Sequence, residues 1–398
     1  MYVPFTSSAV GGMEQYVQAL AVGLGSVSAP NVNFTWILDS NNTEWLTPYL
    51  PRGHATLTIS TKDQPFDKVP SRLRSALAAS RPAGWLPVTR PAPLTVDLES
   101  HFDVVHFPSQ LATHTSLPSI FQPHDLQHEH FGEFFTPRQV RSRRVLYRHY
   151  AHRATRIVAG SAFAKADFIR HLGVDASKVE VIMFPGPGDL RLMSAPLPHN
   201  IQAEVDRFAR YERGYVLYPA AFWPHKNHRR LLDAIRHINY DANVLGLVLT
   251  GAPVDGVALT EQEAWRRAGH HVASLGYTTR ETLAALYRGA RALVMPSLFE
   301  NLSQPVWEAF SMGIPVACSN VTDLPEQVGG AAVQFDPTSV ADIVRGIHQV
   351  TTVGPSRHRL TALGYQRVSE VTWTSAASQF VQLYDFLRLN LRSEAGDR

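Results

Sequence analysis

The chain has 398 residues, 44% of them hydrophobic and 18% charged, the balance of a water-soluble globular protein long enough for two domains. Its net charge of +3, with 18 histidines counted neutral, supplies no overall basic field for nucleic acid. No run reaches the roughly 18–20 apolar residues that span a bilayer, and one cysteine, Cys318, excludes an internal disulfide.

Cys318 also points to a reducing compartment. It sits in the apolar run 314–318, where a buried core thiol is expected and a nucleophile is not.

Residues 2–5 read as a first strand, without the basic lead of a secretory signal. Val10-Gly11-Gly12 follows as a loop, and 13–24 has a helical apolar period. Glycines between a first strand and a helix let a ligand approach the backbone closely; the plainer reading of Gly11 and Gly12 is a turn. Strands are expected at 34–38 and 55–59. Residues 62–100 are rich in Pro, Arg and Ser, and read as a long insertion holding a helix near 71–79.

Short buried strands at 104–107 and 119–121 come next, the second leading into Gln122-Pro-His-Asp-Leu-Gln-His128. His124 stands just past the strand end, where a histidine serves either the core or a site; His128 and His130 have a weaker claim. The helix 137–154 carries Arg138, Arg141, Arg143, Arg144, Arg148 and Arg153, with Arg156 beside it. Leu146, Tyr147 and Tyr150 interleave with these arginines. That pattern suits an anionic membrane surface or a lipid-linked diphosphate, at ~1 kcal/mol per Lys or Arg near an anionic leaflet. The competing reading is a solvated helix. A strand at 156–159, a helix 161–172 capped by Ser161 and a strand at 179–184 follow, ending in the turn glycines Gly186 and Gly188.

Residues 189–212 are polar and read as a linker. A second alternation then begins: strands at 215–218, 244–250, 272–275, 292–295 and 314–318, and helices at 229–238, 279–288, 306–312 and 339–350. An amphipathic helix at 372–391 closes the chain. Two successive strand–helix alternations predict two doubly wound, Rossmann-like α/β domains facing across a cleft, with ligands beyond the C-terminal strand ends. The boundaries expected are 1–200, 201–371 and a terminal segment 372–398.

The second half centres on 296–315, PSLFENLSQPVWEAFSMGIP. An apolar strand leads through Ser297, Glu300, Asn301 and Ser303 into a helix whose first turn accepts Pro305 and which Gly313 stops. Backbone N–H groups and the helix N-terminus suit a phosphate. Side chains lean toward a helix N-terminus, so Glu308 can point back to the same spot. Alone, Glu300 and Glu308 read equally as a loop carboxylate and a surface charge. Lys226, after the first strand of this half and fixed by Trp223 and Pro224, is the candidate cation; its plainer reading is a solvated lysine. No G-x-G-x-x-G follows the first strand, and no P-loop, C-x-x-C or H-E-x-x-H occurs. No D-x-D pair is present to hold a divalent cation on a diphosphate.

From about 250 to 337 the text resembles, almost continuously, the retaining glycosyltransferases of family 4, which have the GT-B fold. Glu300 and Glu308 match that family's E-x7-E motif. Gly11-Gly12-Met-Glu-Gln-Tyr16 is similar to its first glycine loop, His124-Asp-Leu126 to its N-domain histidine motif, and Val158-Ala-Gly-Ser161 to the strand and cap that follow. Trp373 lies where the family's chain crosses back to the N-terminal domain. The resemblance implies a nucleotide-sugar donor, a glycan or lipid-linked acceptor, no metal cofactor and no nucleic acid. With the reducing compartment that Cys318 points to and the basic stretch 138–156, the expected location is the cytoplasm, peripheral on the inner face of the cell membrane.

Glu308 would take the ribose hydroxyls, and Glu300 the donor sugar. Lys226 and the backbone of Asn301, Leu302, Ser303 and Gln304 would hold the diphosphate. Gly11 and Gly12 would close over it, His124 would sit at the acceptor side, and the backbone near Tyr277 would edge the base. Two departures stand out. Ala220-Ala221 replaces the family's Gly-Arg pair, and Glu300-Asn-Leu-Ser303 replaces Glu-Gly-Phe-Gly. Asn301 takes positive φ more readily than most residues, which would keep the loop's backbone while altering the sugar pocket. The expected function is hexosyl transfer, with mannose from GDP-mannose as the working choice, in surface polysaccharide synthesis. A nucleotide-sugar epimerase, a phosphorylase, or an inactive nucleotide- or glycan-binding protein of the same fold are the alternatives.

Overall fold

In the computed structural model the described residues are 1–3, 12–40, 43–59, 97–186, 196–209, 211, 213–240, 245–251 and 269–396. Gly11, Gly188 and the helix expected near 71–79 fall outside them. The chain divides into two compact units, one of Met1–Met183 with Trp373–Arg398, the other of Phe184–Thr372. Among the described residues no helix is long and apolar enough to cross a membrane.

In the first unit, strands β1 (Tyr2–Val3), β2 (Thr35–Asp39) and β3 (Ala55–Ile59) form a parallel sheet in that order. A second parallel sheet runs β4 (Val105–Phe107), β5 (Ser119–Phe121), β6 (Arg156–Ala159), β7 (Val179–Val181). Tyr2 meets Phe107 edge-on at 5.7 Å, so β1 lies against β4. Helix α1 (Gly12–Gly25) buries Tyr16, Val17, Leu20 and Leu24. Gly23 in α1 touches Trp373 so closely that an added Cβ would sit 3.2 Å from its ring.

Helix α2 (Pro137–Arg153) opens on a reciprocal cap. Thr136 N–H donates to Gln139 Oε1 at 2.8 Å and Gln139 N–H to Thr136 Oγ1 at 3.3 Å. Tyr147 and Tyr150 of α2 are buried in the core with Phe121 and Phe168. The expectation that these tyrosines interleave with arginines on an exposed interface is therefore corrected: they form the helix's apolar stripe, and Arg138, Arg141, Arg144, Arg148 and Arg153 occupy the solvent side. Helix α3 (Ala162–Leu172) starts at Ser161, whose Oγ accepts from Ala164 N–H at 2.9 Å.

The second unit begins before its sheet. The passage 189–212, read as a linker, holds helix α4 (His199–Ala209). Ile201, Val205 and Phe208 fall on one face at helical spacing, and Phe208 is wholly buried against Gly246. Six parallel strands then build one sheet: β8 (Tyr215–Pro219), β9 (Gly246–Thr250), β10 (Val272–Ser274), β11 (Ala292–Met295), β12 (Val316–Ser319) and β13 (Ala332–Phe335). Their order is β10-β9-β8-β11-β12-β13. Leu217, Leu247, Val248 and Val294 are wholly buried, as expected where helices cover both faces. Each such side chain contributes roughly 1.5–3 kcal/mol.

The connecting helices are α5 (His228–Tyr240), α6 (Arg280–Gly289), α7 (Gln304–Ser311), α8 (Leu324–Val328), α9 (Val340–Thr351) and α10 (Pro355–Glu370); α11 (Trp373–Gly396) returns to the first unit and packs on α1. Sequence reasoning gave neither β13 nor α10. β13 is short and mostly half-buried, and α10 buries only Gly364, against Phe310. Neither carries a strong apolar period.

Candidate active site

Strand order sets the site. From β8 the sheet grows one way through β9 and the other way through β11, so the loops after β8 and β11 diverge at a topological switch point. Lys226 lies in the loop after β8 and Glu300 in the loop after β11. Their side chains meet: Lys226 Nζ donates to Glu300 Oε1 at 2.7 Å. Glu300 is 8% exposed and Lys226 20%, so the pair is largely shielded and its charge-assisted bond is stronger than a surface one.

The two loops are tied at several further points. Leu298 N–H donates to the His225 carbonyl at 2.7 Å. Tyr218 bridges Lys226 O at 2.8 Å and Ser297 Oγ at 3.1 Å. Asn227 is left-handed at φ 59, and its Nδ2 donates to Pro296 O and Pro337 O, both at 2.8 Å. Burial and the Lys226 ammonium push the His225 imidazole down to about 2, so His225 adds no positive charge beside Lys226 at neutral pH.

The Glu300–Ser303 loop is held from beneath by residues that follow β12. Glu300 N–H donates to Thr322 Oγ1 at 3.1 Å, and that hydroxyl donates to Glu300 O at 2.8 Å. Gln327, in α8, takes Ser303 N–H on Oε1 and gives Nε2–H to Ser303 O, both at 2.7 Å. The Ser303 amide is therefore committed inside the loop. The left-handed residue is Leu302, at φ 45, not Asn301. Leu302 is 4% exposed, so burial of its side chain offsets the backbone cost that an asparagine would have lessened.

Glu308 sits inside α7 and does not meet Lys226. Tyr287 OH lies 3.1 Å from its Oε2 and Arg280 Nη1 3.5 Å from its Oε1. Burial raises the Glu308 carboxyl above the usual range, with Arg280 and Tyr287 opposing. Arg280 is a cation that sequence reasoning missed; the signal was its place at the first turn of a helix capped by Thr279. Gly186 packs on α7 so tightly that a Cβ would come within 2.9 Å of Trp307 Cβ. Where the family's Gly-Arg pair is replaced, the Ala220 carbonyl presses on Gly251, itself at φ 132, and leaves no room for a Cβ there. The Tyr277 side chain is exposed in the loop after β10.

In the first unit, Gly12 is exposed at the start of α1. His124 is buried and left-handed at φ 65, with Nε2 2.9 Å from Pro108 O and its ring edge-on to Tyr16 at 4.8 Å. Burial pushes its imidazole down to about 4, the Pro108 carbonyl partly opposing. A non-glycine residue in that conformation carries strain of a kind that clusters at functional sites. Cys318, in β12, is buried as expected, and burial pushes its thiol up to about 12.

A family model described as Glycosyl transferases group 1 matches residues 203–367, and one described as Glycosyltransferase Family 4 matches residues 10–183. The O-antigen chain mannosyltransferase B of Escherichia coli is 29% identical over 287 residues, which take in 71% of this chain and 74% of that protein. Sucrose-phosphate synthase from Thermosynechococcus elongatus superposes with a TM-score of 0.68 at 18% identity, covering 97% of this chain and 99% of that one. Anabaena HepE in complex with UDP and glucose does so with a TM-score of 0.65 at 14% identity, covering 96% and 98%. At those identities the structural likeness speaks for the fold alone. Fold and family models together define a GT-B glycosyltransferase. The chain belongs to glycosyltransferase family 4.

Proposed function

We propose that this glycosyltransferase is a retaining, metal-independent hexosyltransferase that moves mannose from GDP-mannose onto a glycan or lipid-linked acceptor in surface polysaccharide synthesis. The observation that carries this reading is the 2.7 Å Lys226–Glu300 pair at the switch point of the sheet. Its likeness to an O-antigen chain mannosyltransferase supports the choice of sugar and product.

The chemistry follows from the parts. Displacing a nucleoside diphosphate from the anomeric carbon develops negative charge on the leaving oxygens. Lys226 and the N-terminus of α7 are fixed before the reaction and stabilise that charge without reorganising. The same cation and helix end neutralise the diphosphate where no D-x-D pair is available. Glu300 gives its second oxygen to the donor's hydroxyls while Lys226 holds the first. It is not the attacking group; the leaving phosphate takes the acceptor's proton on the same face, which retains the anomeric configuration. Glu308 receives the ribose hydroxyls, and His124, neutral at cytoplasmic pH, serves the acceptor side. The exposed arginines Arg138, Arg141 and Arg153 of α2 hold the enzyme on the anionic inner face of the cell membrane.

The test is a transfer assay with a lipid-linked acceptor and GDP-mannose, against GDP-, UDP- and ADP-linked alternatives. Mannosyl transfer that disappears in Glu300→Ala and Lys226→Ala is the expected result. Nucleotide binding without turnover makes the protein an inactive binder, and isomerised donor makes it an epimerase. Flotation with anionic vesicles checks the membrane role; absence of salt-sensitive binding overturns it.

A further inference from the structure

We propose that His130, Asp167 and His171 form a binding site in the first unit for one divalent transition-metal ion of the zinc type. The geometry places three donor atoms around one point. His130 ends the short helical turn Gln127–His130, and Asp167 and His171 stand one turn apart on the same face of α3. His130 Nε2 is 2.8 Å and His171 Nε2 3.4 Å from the same Asp167 Oδ1, and the three donors all lie within 4.8 Å of one another. Ligands about 2.0–2.1 Å from a tetrahedral zinc are roughly 3.4 Å apart. His171 already stands at that separation from the carboxylate; His130 would move away from it by about half an ångström, and the two imidazole nitrogens, within 4.8 Å of each other, would close toward the ion.

Asp167 is 7% exposed, and a carboxylate that far from water requires donors or a cation; in the ion's absence the two imidazoles fill that role, His130 Nε2 in a 2.8 Å hydrogen bond to Oδ1 and His171 Nε2 3.4 Å from it. Neither nearby arginine is turned to it: Arg144 is held on Glu129 at 2.7 Å, and Arg148 Nε donates to the His171 carbonyl at 3.0 Å. Two imidazole nitrogens and one carboxylate oxygen suit zinc, cobalt or nickel, and not magnesium or calcium. Each imidazole binds through a deprotonated Nε2, with its proton on Nδ1. Three protein ligands leave a fourth position for water. The ion would staple the 127–130 turn, which runs on from His124, to α3. The proposal does not rest on the transfer reaction proposed above.

Cobalt(II) titration of the full-length wild-type protein, followed by its visible absorption and by displacement with zinc, tests the proposal. One equivalent of tetrahedral cobalt is expected, with a zinc-dependent rise in Tm. His130→Ala and His171→Ala should each weaken binding at least tenfold. His130 is exposed, so its variant keeps the fold if Asp167→Asn does not. Zinc or cobalt bound equally by wild type and His130→Ala comes from the chain's other histidines and overturns the assignment, as does no binding.

Discussion

Lys226 Nζ and Glu300 Oε1 lie 2.7 Å apart although their residues are 74 positions apart in the chain. The contact exists because β8 and β11 are neighbours in the sheet and their loops open at its switch point. Lys226→Ala should abolish transfer and also destabilise the second unit, by about 1–3 kcal/mol, because it leaves a shielded carboxylate without its cation. Lys226→Ala combined with Glu300→Ala should recover most of that stability while transfer stays absent. Thermal unfolding alongside the transfer assay separates the two effects. A double variant no more stable than the single one would show that the pair serves catalysis without serving the fold.

Asn227, next to Lys226, is predicted to be the structural pin of the site. It is left-handed and donates to Pro296 O and Pro337 O. Asn227→Ala loses both of those bonds and the 2.9 Å bond that its Oδ1 accepts from Arg230, and strains the backbone, and should cost about 2–4 kcal/mol. Asn227→Gly loses the bonds and keeps the conformation, so it should cost less, by up to about 1 kcal/mol. Urea unfolding of both variants checks the order; equal losses would mean that the backbone conformation carries none of the effect.

Where most of the candidate site's residues lie was legible because they ride on parallel strands. Ala292-Leu-Val-Met295 could hardly be anything but a buried strand, and the loop after it lies beyond a C-terminal strand end, the place where such sheets bind ligands. Lys226 was legible for the same reason. What could not be read was which partners those loops recruit from farther along the chain. Gln327 and Thr322 clamp the Glu300–Ser303 loop through its backbone, and nothing local marks a side chain that recognises another segment's amide. The positive φ was expected at Asn301 from intrinsic preference, but it falls on Leu302, where burial outweighs preference. On α2 the tyrosines were read as interface residues because periodicity alone does not say which stripe of an Arg-rich helix faces inward.

Glu308→Gln should separate function from stability. Burial raises the Glu308 carboxyl, so its charged form is penalised in the folded chain. A group with a raised folded value contributes stability below the ordinary glutamate range, about 4.3, and loses it as pH rises through the folded value. The substituted amide does not titrate, which removes that loss, and it can still accept from Tyr287. At pH 7 the variant should melt at or above the wild-type temperature, and near pH 4 the two should converge. Nucleotide affinity should fall at least tenfold. Calorimetry at both pH values and nucleotide titration decide this; unchanged affinity removes Glu308 from the donor site.

Acid stability should be governed by buried histidines. Burial pushes His106 down to about 3, His124 to about 4 and His228 to about 3. Each stays neutral in the folded chain while its unfolded counterpart takes a proton below about 6.5. Between about pH 6.5 and 4 the unfolded state therefore binds more protons, and stability must fall as pH falls, by up to about 1.4 kcal/mol per pH unit for each histidine. These three, with His128 pushed by burial down to about 4 and His225 to about 2, predict a steep decline in unfolding free energy across that window, with no comparable change between pH 7 and 8. His106→Gln should flatten it by one proton's slope. His106 Nδ1 is 2.8 Å from Tyr384 OH in α11, so the same variant tests whether that contact survives with an amide in place of the ring. A decline confined to below pH 4 would instead place the acid transition on carboxylates.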